Sequence, residues 1–451
     1  MKKIIKFTVI VLHLFVWTAC SDYLDIKSNN RLAVPNTLQD LQALLDNAEV
    51  MNIYSTPSYL ESATDNYFLT DSRYSSTPEQ QKPLYEWLPV DYGFQNDWSI
   101  SYQLVYNANF CFDMLNEIEV TAETKEAWNN VYGSALFFRA YSYLGLLWVY
   151  ADTYNPSGGN DKPGIVLRAS SDFNIPSKRS TLQEGYDQVI EDLEAAIAYL
   201  PEKPLVKTRP SKWAAYALLA RAYLSMSDYR KAEIYADLCL EIDDTLMDYN
   251  NPDDGILIDA NVPFNRFTKE TIFYSDMAVN FRLHVPTTGS YVDTVLYKSY
   301  DDNDLRKTAF FRSSEAYFRF KGSYSHSSNW LFSGLTTAEM QLIKMECLAR
   351  EGKSDDALML LKHFLKFRWD KNHNLPDFGT LSTGEVLDVI LKERRKELIM
   401  RGLRLADIKR LNLEGYNIVL RRKIGDRLVE IPPNSDRLVL NLPPDIVRYF
   451  E

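Results

Sequence analysis

Side-chain chemistry needs reactive groups at workable spacings, and this chain holds few of them. Four histidines, His284, His326, His363 and His373, lie beyond the first nineteen residues. None belongs to an H-E-x-x-H pair that would hold zinc from one helix face, and none stands beside a recognisable Cys or Ser nucleophile motif. There is no G-x-S-x-G elbow, no phosphate-cradling P-loop and no G-x-G-x-x-G turn. Acid pairs occur at Asp243-Asp244, Asp253-Asp254 and Asp301-Asp302. They lie in polar stretches where adjacent acids are common, and the two carboxyls of a glycosidase face each other across a bond that chain spacing does not display. No twelve-residue calcium loop appears, so no cofactor is expected, although an oxygen-rich loop could still hold structural calcium. Cys111, Cys239 and Cys347 fall in helical apolar patterns at spacings that fit no metal site, which makes them buried free thiols.

What the chain does supply is aromatic rings beside polar groups. The composition includes 29 Tyr, 22 Phe and 8 Trp. Two loop-like regions concentrate them. The first holds Asp65, Asn66, Tyr67, Arg73, Tyr74, Trp87 and Tyr92, and the second Tyr291, Tyr297, Tyr300, Tyr324 and Trp330. Saccharides present C–H patches that stack on flat rings and hydroxyls that need polar edges, so such mixtures suit sugars. Tyr74, Trp87, Tyr291, Tyr324 and Trp330, with Asp65 and Arg73, are the candidate ligand contacts. Most other rings would pack loops onto helices; Trp98 begins a helix at core spacing and is structural.

The elements that must position these loops are helical. Asn36-Thr37 precedes LQDLQALLDNAE, a capped short helix. Residues 97–118 place apolar side chains three and four apart, and Thr124–Ala151 is apolar nearly all round, which predicts deep burial. Residues 152–180 read as an insertion, and Thr181–Leu200 as a helix stopped by Pro201 and Pro204. Tyr216-x2-Leu219-Ala220-x2-Tyr223, followed by Ala232 and Ala236, fits the tetratricopeptide pattern of paired helices. Residues 338–370 repeat its twelve-residue step from Met345 to Ala357. The fold class is therefore mostly α: a tetratricopeptide-like scaffold of helical pairs, an α-α superhelix, at about 97–243 and 336–412. Long irregular loops at about 52–95 and 244–335 interrupt it.

Charge narrows the partners. The chain has 50 Lys+Arg against 61 Asp+Glu, net −11. That argues against nucleic acid, whose phosphates most of the surface would repel. One basic stretch stands out: residues 391–427 carry 12 basic and 5 acidic side chains. Within it Glu393, Arg394, Glu397, Arg401, Arg404, Asp407 and Arg410 set opposite charges three or four apart, which suits a paired network. A phosphate or sulfate site, or a contact surface for a partner, are the alternatives.

Met1–Ala19 has a basic start, an apolar run of about a dozen residues and small residues before Cys20. It is a secretory signal, too short to span a membrane comfortably. Cysteine at its end makes it similar to a bacterial lipoprotein signal, with Cys20 acylated.

From Cys20 to near the C-terminus the chain resembles the SusD/RagB outer-membrane lipoproteins of Bacteroidota. The likeness rests on Cys20-Ser21-Asp22-Tyr23-Leu24-Asp25, on Trp98-x3-Tyr102 leading to Ala108-Asn109, and on Gly133-x-Ala135-x2-Phe138-Arg139-Ala140-Tyr141. It continues through Leu219–Leu224, Ala338-Glu339-Met340, Glu393-Arg394-x2-Glu397-Leu398 and Arg401-Gly402-x-Arg404-x2-Asp407-x-Lys409-Arg410. Ser134 and Arg401 each stand where the family pattern carries an acid. The resemblance implies a tetratricopeptide scaffold with a loop-rich ligand face, lipid-anchored at the cell surface. It further implies a lid over a TonB-dependent SusC-like porin that captures glycans, or in some members peptides, for nutrient uptake, and that is not an enzyme. The residues alone leave room for a RagB-like peptide binder or a secreted glycoside hydrolase.

Overall fold

The computed structural model describes residues 34–448; the signal segment and Cys20 lie outside them. Its helices of eight residues or more are α1 (Leu38–Leu45), α2 (Asp97–Leu115), α3 (Lys125–Tyr150), α4 (Leu182–Tyr199), α5 (Lys212–Ser225), α6 (Tyr229–Ile242), α7 (Thr337–Arg350), α8 (Ser354–Lys366), α9 (Thr383–Glu397) and α10 (Arg404–Leu413). Most start at a side-chain cap that satisfies an otherwise orphaned backbone N–H. Thr37, Asn96, Thr181 and Ser382 form full capping boxes; Ser211, Asp228 and Thr336 cap with one bond.

Neighbours in sequence pack as neighbours in space, from α2 through α7, and α7 then packs against both α8 and α9. This is the tetratricopeptide-like stack of helical pairs. Small residues allow the close approaches. At Gly133 of α3 an added Cβ would meet Leu200 at 2.9 Å, and at Gly185 of α4 it would meet Leu147 at 2.7 Å. Helix α3 is buried on every side from Gly133 to Tyr150 except at Arg139, whose guanidinium grips Asp192 of α4 bidentately at 2.7 and 2.8 Å. In the α5–α6 pair Tyr223 stacks on Tyr235 at 5.5 Å, while Ala220, Ala232 and Ala236 are fully buried between the helices.

The loops carry short antiparallel ribbons. β1 (Tyr67–Phe68) pairs with β5 (Tyr291–Val292), β2 (Pro163–Val166) with β3 (Arg179–Thr181), β4 (Thr271–Phe273) with β8 (Leu335–Thr336), β6 (Phe311–Ser314) with β7 (Tyr317–Phe320), and β9 (Leu420–Ile424) with β10 (Arg427–Ile431). The first of these knits the two long loop regions together, and the third ties the central loop to the start of α7.

Buried charge docks the central loop. Arg368, just after α8, bonds Glu270 at 2.7 Å and Glu397 at 2.9 Å; Arg306 bonds Asp304 at 2.7 Å and Glu397 at 3.2 Å. All five side chains are fully enclosed. A pair of this kind adds little net stability over apolar packing but makes any other docking costly, because a displaced partner leaves a buried charge alone. The basic stretch behaves the same way. Arg394 binds Asp407 at 2.9 Å, Arg410 binds Glu346 at 2.8 Å and Arg404 binds Asp65 at 2.9 Å. These guanidiniums are committed to carboxylates, which corrects the phosphate or sulfate alternative for this run. Among the described residues no helix is long and apolar enough to cross a membrane, and no cluster of three or more His, Cys, Asp or Glu could hold a metal.

Candidate functional site

Three distant segments meet at one face. The chain at 275–277 runs between residues 52–56 and 331–333. Asp276 N–H donates to Asn52 O at 2.8 Å and Ser55 N–H to Asp276 O at 3.0 Å; Met277 N–H donates to Leu331 O at 2.8 Å. The pairing sets Tyr54 against Trp330, ring centroids 5.8 Å apart and planes at 90°. Trp330 is 36% exposed and Tyr54 half-buried. The Trp330 loop is held from behind, where Ser323 Oγ donates to Trp330 O at 2.8 Å.

The backbone here is strained. Tyr54 (φ 59°), Phe267 (φ 60°) and His326 (φ 57°) all adopt the left-handed region, which costs a bulky side chain on the order of 1–3 kcal/mol. Phe267 is 47% exposed and packs edge-on to Tyr274 at 4.9 Å, and the Arg266 guanidinium lies 5.3 Å from the same ring. His326 Nδ1 contacts Phe264 O at 2.9 Å. Beneath the rings Asp276 is wholly buried and accepts the Tyr274 hydroxyl at 2.8 Å. Burial pushes its carboxyl up to about 7, against the Tyr274 bond and the Arg266 charge.

A cleft of about 350 Å³ opens between residues 69–81 and 282–288, where the chain continues from the 275–277 segment. Leu69 and Leu283 line it together with Arg73, Thr77, Gln81, Arg282, Thr287 and Thr288. The β1–β5 pair sets its two walls, with Phe68 stacked on Tyr291 at 5.8 Å. Gly289 (φ 98°) passes so close to Arg73 that an added Cβ would fall 2.7 Å from its Cδ.

The seven expected contacts separate clearly. Trp330 lies on the platform and Arg73 in the cleft wall. Trp87 is corrected: its ring is 2% exposed, its indole N–H donates to Ala63 O at 2.8 Å and the Arg422 guanidinium covers it at 4.3 Å. Tyr324 is corrected likewise. It is 1% exposed, sits 3.1 Å from both Glu270 and the Tyr249 hydroxyl, and lies under Arg401. Tyr291 is buried between Phe68 and Arg319, and its hydroxyl donates to Glu315 at 3.1 Å. Tyr74 donates its hydroxyl to Glu86 and tilts against Tyr85. Asp65 is clamped by Arg404 and Arg395; burial raises its pKa, but the two guanidiniums win and hold it far below the usual carboxylate range. Trp87, Tyr291 and Tyr324 are enclosed and hold the loops; Tyr74 and Asp65 are half-buried, each tied to a charged neighbour. Sequence reasoning missed Tyr54, Arg282 and Phe267, because nothing local marks a residue brought to the site by a segment more than two hundred positions away.

The stack of helical pairs with an irregular loop face is a fold this chain shares with several solved structures. Solved structures with this fold include a SusD superfamily protein from Bacteroides fragilis (TM-score 0.72, 21% identity, 93% of this chain and 99% of that one). Another from Bacteroides thetaiotaomicron matches at TM-score 0.72 and 19% identity over 92% and 99%. A SusD-like carbohydrate binding protein from Bacteroides vulgatus matches at 0.67 and 19% over 92% and 96%. Residues 22–224 match the SusD-like family described as "Starch-binding associating with outer membrane". SusD-like protein P2 of Formosa agariphila is 24% identical over 416 residues, 78% of each chain. The chain is similar to these proteins, and over residues 22–224 to the SusD-like family.

Proposed function

We propose that this protein is a cell-surface glycan-binding lipoprotein that captures oligo- or polysaccharide and passes it to a TonB-dependent, SusC-like porin. The observation that carries the proposal is the Tyr54–Trp330 pair, two rings held at a solvent-facing edge by strained backbone and pinned loops. The two rings stand perpendicular, so each offers its own apolar face to sugar C–H groups, while Thr77, Gln81, Thr287 and Thr288 line the cleft and can meet sugar hydroxyls. The family's outer-membrane association and starch-binding description support the same reading. Capture would proceed by shape and stacking, without bond-making. Acylation of Cys20 would anchor the chain, each buried methylene contributing roughly 0.8 kcal/mol. Affinity in the millimolar to micromolar range, roughly −4 to −8 kcal/mol, suits handover, since tighter capture would slow release. Affinity electrophoresis of the full chain in detergent, through gels carrying a panel of polysaccharides, tests this. Retardation by at least one class is expected, and free migration through every gel would refute it.

A further inference from the structure

The cleft between residues 69–81 and 282–288 carries two arginines that pair with no carboxylate among the described residues. In this acidic chain the enclosed arginines Arg306, Arg368, Arg394, Arg404 and Arg410 are each paired with carboxylates. Arg73 and Arg282 have no ion-pair partner among the described residues, and both line the cleft with Thr77, Gln81, Thr287 and Thr288. Gly289 packs under Arg73 and restricts where it can go. The chain leading to Arg282 runs along the Tyr54 segment: Ala278 N–H donates to Thr56 O at 2.8 Å and Phe281 N–H to Ser58 Oγ at 2.9 Å. The Tyr54 hydroxyl is raised first by burial and then by Asp276, and the Arg282 charge opposes both. Behind the cleft Arg319 donates to Pro286 O at 3.3 Å and to the Tyr291 hydroxyl at 3.2 Å, and its buried Nε has no partner. Glu315 accepts from Tyr291, and Glu79, between Pro78 and Gln81 of the cleft wall, is paired with Lys82.

We infer that the cleft takes the acidic group of an anionic glycan, a uronate carboxylate or a sulfate ester, while neighbouring sugar rings lie on Tyr54 and Trp330. This rests on the glycan-binding reading and names its substrate class. A guanidinium is a planar fork that meets either group with two parallel hydrogen bonds. Beside the half-buried Arg73 the attraction is less screened than in open water. Two unpaired guanidiniums also repel each other, and an anion between them relieves that. Net acidity elsewhere on the surface does not oppose such binding, because beyond about 10 Å exposed charges are largely screened at ordinary salt.

The test uses the full chain in detergent, titrated with polygalacturonate, a sulfated galactan, and two neutral polysaccharides, amylopectin and laminarin. Three proteins are compared: the natural chain, Arg73→Gln/Arg282→Gln, and Lys362→Gln/Lys366→Gln, which removes the same charge from an exposed face of α8. One of the acidic polymers should bind, and the two acidic arms separate carboxylate from sulfate. Binding should weaken by about tenfold or more in the arginine variant, stay unchanged in the lysine variant, and fall in about 0.5 M salt. Circular dichroism should match for all three. If neutral polymers bind and the acidic ones do not, or if the arginine variant binds as the natural chain does, the anion assignment is overturned while glycan binding stands. If no polysaccharide binds, both are overturned.

Discussion

Asp276→Asn should stabilise the protein increasingly as pH rises. Asp276 lies in the central one of the three segments that carry Tyr54 and Trp330, and no part of it reaches solvent. One carboxyl oxygen accepts from Tyr274; the other is buried without a partner. Burial lifts its pKa from 3.8 to about 7. The folded chain therefore holds this proton more tightly than the unfolded chain does. Its contribution is fully present below about pH 4 and is lost as pH climbs through about 7. At 1.36 kcal/mol per unit, ionising the buried group costs about 4 kcal/mol by pH 8. Asn keeps an oxygen for Tyr274 and never ionises, so the variant's advantage should grow by about 2–3 kcal/mol between pH 5 and pH 8. Urea unfolding of both proteins at each pH measures it. Glu61 and Asp97, also raised by burial, to about 7 and about 6, titrate in the same window in both proteins and cancel in the difference. An offset that is the same at both pH values, or a variant that loses ground at pH 8, would refute the reasoning.

Other perturbations separate support from surface. Trp87→Ala should cost about 3–5 kcal/mol in urea unfolding, because it empties an enclosed site and strips Arg422 of its aromatic neighbour, while Trp330→Ala should stay within about 1 kcal/mol. Glu397→Gln leaves Arg306 and Arg368 undercompensated and should cost about 3–5 kcal/mol, with residues 244–335 becoming the first site of limited proteolysis; an unchanged digestion pattern would contradict the docking role of the network. Cys111, Cys239 and Cys347 are buried and unpaired, and burial pushes the Cys111 thiol up to about 12. Mass mapping after alkylation should therefore find all three modified only in denaturant; labelling of any in the native protein would show that its helix opens.

The helices were legible because their signals are local. Thr37, Asn96 and Thr181 mark their starts, and the Tyr216–Ala236 spacing encodes a pair packed on small residues. Burial of α3 followed from an apolar surface with no polar stripe. The ribbons were less legible. β9–β10 falls in a stretch where arginines and lysines obscure the alternation that marks a strand, though Gly425 (φ 58°) marks its turn. For the site, composition pointed to aromatic loops but could not say which rings face outward. Trp87, Tyr291 and Tyr324 have the same residue types and loop setting as Trp330; what separates them is a covering guanidinium supplied from far along the chain. Arg422, Arg319 and Arg401 do this covering, and their partners are set by tertiary packing. The same holds for Tyr54, which meets Trp330 because both segments pair with the segment at 275–277.

The central claim is that Tyr54 and Trp330 form a saccharide-binding platform. Calorimetric titration of a polysaccharide retained by the full chain, into that chain and into Tyr54→Ala/Trp330→Ala, tests it most directly. Each ring stacked on a sugar should contribute about 0.5–1.5 kcal/mol, two- to tenfold apiece, so the double variant should bind about five- to a hundredfold more weakly with unchanged helical content. Equal affinity for the two proteins would place the ligand elsewhere and contradict the account.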